Sequence, residues 1–400
     1  LISSAPEKYK SRGTGLPYRQ DSDFYYLSGT TQKDLTLLIS STCKHPLLIL
    51  SKPTPSKILW EGAPENPKKI ASAIGAELVF SNDIKTEVKK RLNGVQRLYY
   101  QNTPGTCGWE VAHELMMLSS WYRRGYPKEF HHSDALLEPM RLIKTRAEVA
   151  LIKESIDITH AALTGIMPLM QSGAKEFEIA AALEYYFRAC GAEVAFPSIV
   201  ASGPSAATLH YDKLSRTLSK GSLLLIDCGA QRRMYAADIS RVFPIGAKFS
   251  DAQKELYQIV LAAQLAAIKK IRPGALIKSV YQKAAYTLTE GLKDLGVLRG
   301  RVSTLFEKQA YKPYFPHSIG HSLGLDVHDI GDLRSNDTSV LEEGMVLTVE
   351  PGLYFAKKTA KLPACGVRIE DNVLVTATGN EVLSRRIPKA VQDVEAMLDF

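Results

Sequence analysis

Four acidic residues stand where an apolar strand would carry none. Asp227 closes the run "LLLIDCG", Asp238 interrupts "YAADISR", Glu350 lies in "GMVLTVEPGLY" and Glu370 in "GVRIEDNVLV". Burying a lone carboxylate is expensive, so each such position needs a partner that offsets its desolvation. A metal ion is the strongest partner of that kind. The pattern calls for a fold that brings these strand segments together.

Histidine supplies the complement. The chain has nine histidines in 400 residues, and three of them fall in "HSIGHSLGLDVHD" at 317–329. One imidazole with four carboxylates carries a charge of −4, which two divalent cations neutralise. Oxygen-rich ligation with a single imidazole suits Mn2+ or a similar ion better than a thiolate-loving one. Two such ions can clamp a hydroxide and polarise a carbonyl, which is hydrolytic chemistry. Each residue taken singly has an ordinary reading. A strand Asp is commonly an edge or turn residue, "GVRIED" could be a surface strand, and a lone His a loop or cap. The joint pattern outweighs them.

Around these residues the chain divides in two. Residues 1–135 hold strand-like runs ("DLTLLIS", "PLLIL", "AELVF", "RLYY") between proline-rich connections, and "HHSDALLEPM" at 131–140 reads as a linker. Thr145 and Glu148 form a capping box that opens a helix, with Val149, Ile152, Ile156 and Leu163 as its apolar stripe. A second helix runs from about Glu176 to Cys190 and closes on Gly191. "SLLLIDCG" and "MYAADISRVF" follow as two strands. Ser250 and Gln253 then cap another helix, and an amphipathic helix to about Leu295 precedes further strands. Helix, glycine turn, helix and strands, twice over, suggests two related halves facing one another.

Asp227, Asp238, His321, Glu350 and Glu370, in this order, resemble the five ligands of the dinuclear "pita-bread" (M24-type) metallopeptidases. That family holds methionine aminopeptidase, prolidase, aminopeptidase P and creatinase. The eleven-residue step between the aspartates and the phrases "GHSLGLDVHD", "EEGMVLTVEPGLY" and "GVRIEDNVLV" carry the likeness over about residues 140–390. "YRQDSDFYYLSG" at 18–29 is similar to a segment of long aminopeptidases P, the branch matched best. The resemblance implies an α+β chain, with a smaller α/β creatinase-like domain at 1–135, its start truncated, and a catalytic pita-bread domain at 136–400. It also implies release of the N-terminal residue from peptides with proline second, by metal-bridged hydroxide attack. Such a bond is a tertiary amide without an N–H, which demands a dedicated site. The alternative within the family is prolidase, acting on Xaa-Pro dipeptides; a ligand-free binding platform would lack one of the five residues, and none is lacking.

The same resemblance assigns roles. Asp238 and Glu370 bridge two divalent ions, most readily Mn2+, and Glu350 shuttles the proton. His210, His317 and His328 donate to the substrate carbonyl and the developing oxyanion. Tyr354 and Arg368 support the site, and strand alternation places Arg368 on the face of Glu370. Trp60, in "ILWEGAPEN", either approaches a neighbouring subunit's site or is buried in its own domain. A homodimer or homotetramer is expected.

Composition narrows the partners. The net charge is +8, but no block of like charge and no basic–aromatic interleaving marks a nucleic-acid groove. Apolar runs such as "LAAQLAAI" fall far short of the roughly 20 residues of a membrane span. Five dispersed cysteines without a C-x-x-C pair fit a reducing, cytoplasmic setting. The first residue is Leu1 rather than Met, so a lost organellar leader stays open.

Overall fold

The computed structural model describes residues 1–118, 124–331, 333 and 339–399. The chain forms two compact units, Leu1–Met140 and Arg141–Phe400. In the first, the four strand-like runs become Leu35–Leu38, Leu47–Leu50, Glu77–Phe80 and Arg97–Tyr100. Three of them join Ile2–Ser3 in a four-stranded sheet whose last pairing is parallel. Leu35–Leu38 and Leu47–Leu50 are buried at every position, as an unbroken apolar run requires of a strand covered on both faces. Leu38, Leu47 and Ile49 pack on Val88, Val111 and Leu115, while Leu35, Leu48 and Leu50 pack on Phe24 and Ile70.

Two expectations fail here. Residues 131–140 are not a linker: Glu129–His132 pairs in parallel with Arg97–Tyr100, and a helix covers Asp134–Leu142. Leu137 explains it, because its side chain belongs to the core around Phe24 and Ile70. Trp60 is not buried in its own unit either. It lies on the helix Pro55–Glu61 and is 83% exposed, like Leu59.

In the second unit the capping boxes at Thr145–Glu148 and Ser250–Gln253 are both formed, opening the helices Arg146–Gly165 and Asp251–Ile268. Val149, Ile152, Ile156 and Leu163 are all buried. Each helix is followed by a second, Glu176–Ala189 and Ile277–Asp294, with Gly191 and Gly296 at positive φ just past their ends. Each pair leads into a three-stranded antiparallel sheet. The first holds Ile199–Ser202, Leu223–Cys228 and Ile239–Pro244; the second holds Val346–Val349, Asp371–Thr376 and Gly379–Val382.

"MYAADISRVF" and "GVRIEDNVLV" are each two strands, not one. Tyr235–Ala236 pairs with Ala230–Arg232, whereas Ile239–Pro244 pairs with Leu223–Cys228. At the change of partner the two backbones touch: a Cβ on Gly229 would lie 1.8 Å from the Ala237 carbonyl oxygen. Likewise Cys365–Arg368 pairs with Gly352–Phe355, but Asp371–Thr376 pairs with Val346–Val349. Asp238, Glu350 and Glu370 all fall at these changes of partner. No helix among the described residues is long and apolar enough to cross a membrane.

Candidate metal centre

Asp227 lies within its strand, opposite Ser240. Asp238 sits in a strand break, where Asn372 grips both its amide (3.2 Å, to Oδ1) and its carbonyl (2.6 Å, from Nδ2). His321 comes from a segment laid beside Val346–Val349. Its amide donates to Thr348 Oγ1, and its carbonyl accepts from the Thr348 amide at 2.9 Å. Only glycine fits just before it, because a Cβ on Gly320 would meet the Thr348 carbonyl at 2.0 Å.

These elements bring the five residues together. One ligand atom each from Asp238, His321 and Glu370 lies within 4.8 Å of the other two. The carboxyls of Asp227 and Asp238 are within hydrogen-bonding reach, and Glu350 Oε1 is 3.8 Å from His321 Nε2. Burial, then Asp227 and Glu350, pushes Asp238 well above the usual carboxylate range. Burial, then Asp238 and Glu350, does the same to Glu370. Glu350 is raised by burial too, against the pull of His321 and Arg368. Like charges crowded this closely require either protons or a cation.

The donor set fits a cation. Asp227 Oδ2 accepts from Arg368 Nη2 at 2.6 Å, and Glu370 Oε2 accepts from Ser240 Oγ at 2.8 Å. The second oxygen of each, Asp227 Oδ1 and Glu370 Oε1, is buried without a hydrogen-bond partner among the described residues. His321 Nδ1 donates to the Ser322 carbonyl at 3.0 Å, which turns Nε2 toward Asp238 Oδ2 at 3.3 Å. Carboxylate oxygens left untied beside an imidazole nitrogen are what a metal site needs. Cys228 and Cys365 are buried thiols outside this cluster.

A hydrogen-bonded chain supports one wall. Arg368 Nε donates to Ser240 Oγ (2.8 Å) and Nη1 to Tyr354 Oη (3.1 Å). His317 Nδ1 donates to the Ser318 carbonyl, so its Nε2 accepts from Tyr354 Oη at 2.9 Å. Burial, then Arg368, lowers His317 to about 4, so its imidazole is neutral near pH 7. Burial raises Tyr354 to about 12. His210 is exposed and lies near enough to His317 to help lower it. The His328 ring lies 4.2 Å from that of His321, edge to face.

Sequence reasoning missed Ser240 and Asn372. Each stands two residues after a candidate ligand, Asp238 and Glu370, and that spacing in a strand was a signal for both. It also missed Arg241, whose Nη1 donates to the carbonyls of Ser240 (2.9 Å) and Glu370 (2.6 Å), and whose Nη2 donates to Asp371 Oδ1 (2.8 Å). Burial pushes the Asp371 carboxyl up, but Arg241 and then Lys389 outweigh it and hold it at about 2, against an ordinary 3.8. A depressed carboxyl stabilises the fold above its unfolded pKa and loses that contribution as pH falls through the folded value. The shift corresponds to about 2 kcal/mol. Urea unfolding of the chelated protein should therefore show Asp371→Asn less stable than wild type at pH 6 by about this much or more. The gap should narrow between about pH 4 and 2; a gap independent of pH would refute the ion pair.

These features define a class. Residues 150–377 match metallopeptidase family M24, and residues 1–99 match the aminopeptidase P N-terminal domain. The chain belongs to metallopeptidase family M24, whose members act with divalent metal ions, and it is a hydrolase. A Xaa-Pro aminopeptidase of Haemophilus influenzae is 36% identical over 408 residues, covering 100% of this chain and 93% of the relative. The structure of Pseudomonas aeruginosa aminopeptidase PepP superposes with a TM-score of 0.92 at 35% identity, over 99% of this chain and 92% of that one. A zinc-substituted aminopeptidase P of Escherichia coli in complex with product also matches with a TM-score of 0.92, at 32% identity over 99% and 93%. The fold is theirs: an α+β chain with a pita-bread unit preceded by a smaller α/β unit.

Proposed function

We propose that this chain releases the N-terminal residue from peptides with proline at the second position. The observation that carries the reading is the pairing of one tied and one bare oxygen on both Asp227 and Glu370. It occurs in a chain alike over its whole length to a Xaa-Pro aminopeptidase. Asp227, Asp238, His321, Glu350 and Glu370 would hold two divalent ions. Mn2+ suits four carboxylates and one imidazole, although the zinc-substituted relative indicates that the donor set tolerates other ions. When bound, such ions supply Lewis-acid chemistry, polarising a carbonyl and lowering the pKa of water.

The protein groups do the rest. Arg368 and Ser240 each tie one oxygen of Asp227 and Glu370 and leave the other free for a cation. Glu350 takes a proton from the attacking water as the C–O bond forms and passes it to the departing proline nitrogen as the C–N bond breaks. His210 and His328, on the exposed side, donate to the carbonyl oxygen as negative charge develops. Neutral His317, aligned by Tyr354, flanks the substrate. The domain division 1–135 and 136–400 belongs to this reading. So does a cytoplasmic homodimer or homotetramer, which the free cysteines and the outward-facing Leu59 and Trp60 support.

The test compares kcat/KM for Xaa-Pro dipeptides, Xaa-Pro-Yaa tripeptides and Met-Ala peptides with Mn2+ present. Tripeptides should be cut well and Met-Ala peptides poorly. A strict dipeptide preference would overturn the substrate assignment. No peptidase activity in a fully metallated sample would overturn the whole reading.

A further inference from the structure

Glu176 lies at the start of the helix Glu176–Ala189 and is wholly buried, yet among the described residues no cation partners it. Its Oε1 accepts from the Ser202 amide (2.7 Å) and hydroxyl (2.8 Å). Its Oε2 accepts from Tyr211 Oη (2.8 Å) and the Arg216 amide (2.9 Å). All four donors belong to one stretch, residues 202–216. The Glu176 amide in turn donates to the Arg216 carbonyl at 3.1 Å.

That stretch needs holding. Leu214 has φ 47°, a left-handed conformation that a branched side chain rarely adopts without support. Just beyond it the Ser215 amide donates to Tyr211 Oη, the hydroxyl that Glu176 grips. Toward the other end Ala206 is pressed on the strand Cys365–Arg368, where a Cβ on Gly366 would meet the Ala206 carbonyl at 1.9 Å. His210 lies between these two anchors, next to Tyr211. One carboxylate thus fixes both ends of the loop and the neighbour of its histidine.

We propose that Glu176 is a positioning residue that sets His210 against the substrate through Tyr211, Ser202 and Arg216. The inference rests on the role given to His210 above. Glu176→Gln keeps the shape of the side chain but turns one acceptor into a donor, facing either Ser202 or the Tyr211–Arg216 pair.

The experiment is a double-mutant cycle of Glu176→Gln and His210→Ala in the Mn2+-loaded protein, read with a Xaa-Pro-Yaa tripeptide. Metal content and hydrogen exchange are measured alongside. Glu176→Gln should lower kcat/KM by about ten- to a hundredfold with metal retained, since small misplacements of a reacting group cost that much. Exchange of the 203–216 amides should rise. In the His210→Ala background the same change should alter kcat/KM by less than about threefold, because coupled residues are not additive. Equal losses in both backgrounds, or no loss at all, would overturn the proposal while leaving the role of His210 intact. A His210→Ala protein as active as wild type would remove that role and this inference with it. If Glu176→Gln does not fold, Tyr211→Phe removes one donor only and is read in the same cycle, against the same outcomes.

Discussion

Glu370→Gln and Asp238→Asn are each expected to stop turnover and to lower the metal bound per chain. Each removes one unit of negative charge from a set whose members repel one another strongly when no cation is present. In Glu370 the substitution also offers an amide where one oxygen takes the Ser240 hydrogen bond and the other is bare. If the amide nitrogen faces inward, a donor replaces the lone pair a cation needs. If it faces Ser240, that hydroxyl loses its acceptor, and the link from Arg368 through Ser240 is broken. Both outcomes damage the site, so a loss of at least about a thousandfold in kcat, roughly 4 kcal/mol, is expected. Turnover above about a tenth of wild type at full metal occupancy would show that the ligand assignment is wrong.

His210→Ala and His328→Ala should behave differently. Both residues are exposed, and neither belongs to the buried cluster of bare carboxylate oxygens. Metal content should therefore stay at the wild-type level. The loss should fall on kcat/KM, because a donor aimed at developing charge binds the transition state better than the ground state. Removing one such donor typically costs on the order of 10²–10³ in rate, or roughly 3–4 kcal/mol. The His328 ring packs against His321, so metal analysis of that variant is the stricter control. Lost metal there would make His328 a support of His321 rather than a substrate donor.

The two variant pairs separate what could and could not be read from the chain. The four carboxylates were legible because a carboxylate at the end of an apolar run is costly, and "LLLIDCG" or "GMVLTVEPGLY" displays that conflict within ten residues, whereas His321 was set apart from its two neighbouring histidines only by the family resemblance. The capped helices were legible for the same local reason: Thr145 with Glu148, and Ser250 with Gln253, satisfy donors three residues apart. The strand breaks at Asp238 and Glu370 were not legible. "MYAADISRVF" reads as one strand-like run, and nothing local announces that its two ends pair with different strands. Leu137 misled in the opposite sense, since a short proline-containing run gave no sign of the core that receives it.

By itself, then, the sequence determined which carboxylates stand in apolar strand runs and what charge they bring, because ligand chemistry is carried by residue type. It also determined where the main helices of the second unit begin, because capping acts across one turn. Only the tertiary structure decided which oxygen of each carboxylate is tied and which is bare. Arg368 reaches Asp227 across 141 positions, and Ser240 reaches Glu370 across 130. It alone decided that Glu176 holds the loop of His210. Such contacts depend on close packing between strands and loops distant in the chain, where a glycine such as Gly229, Gly320 or Gly366 lets two backbones touch. No local periodicity encodes which distant backbone will lie against it.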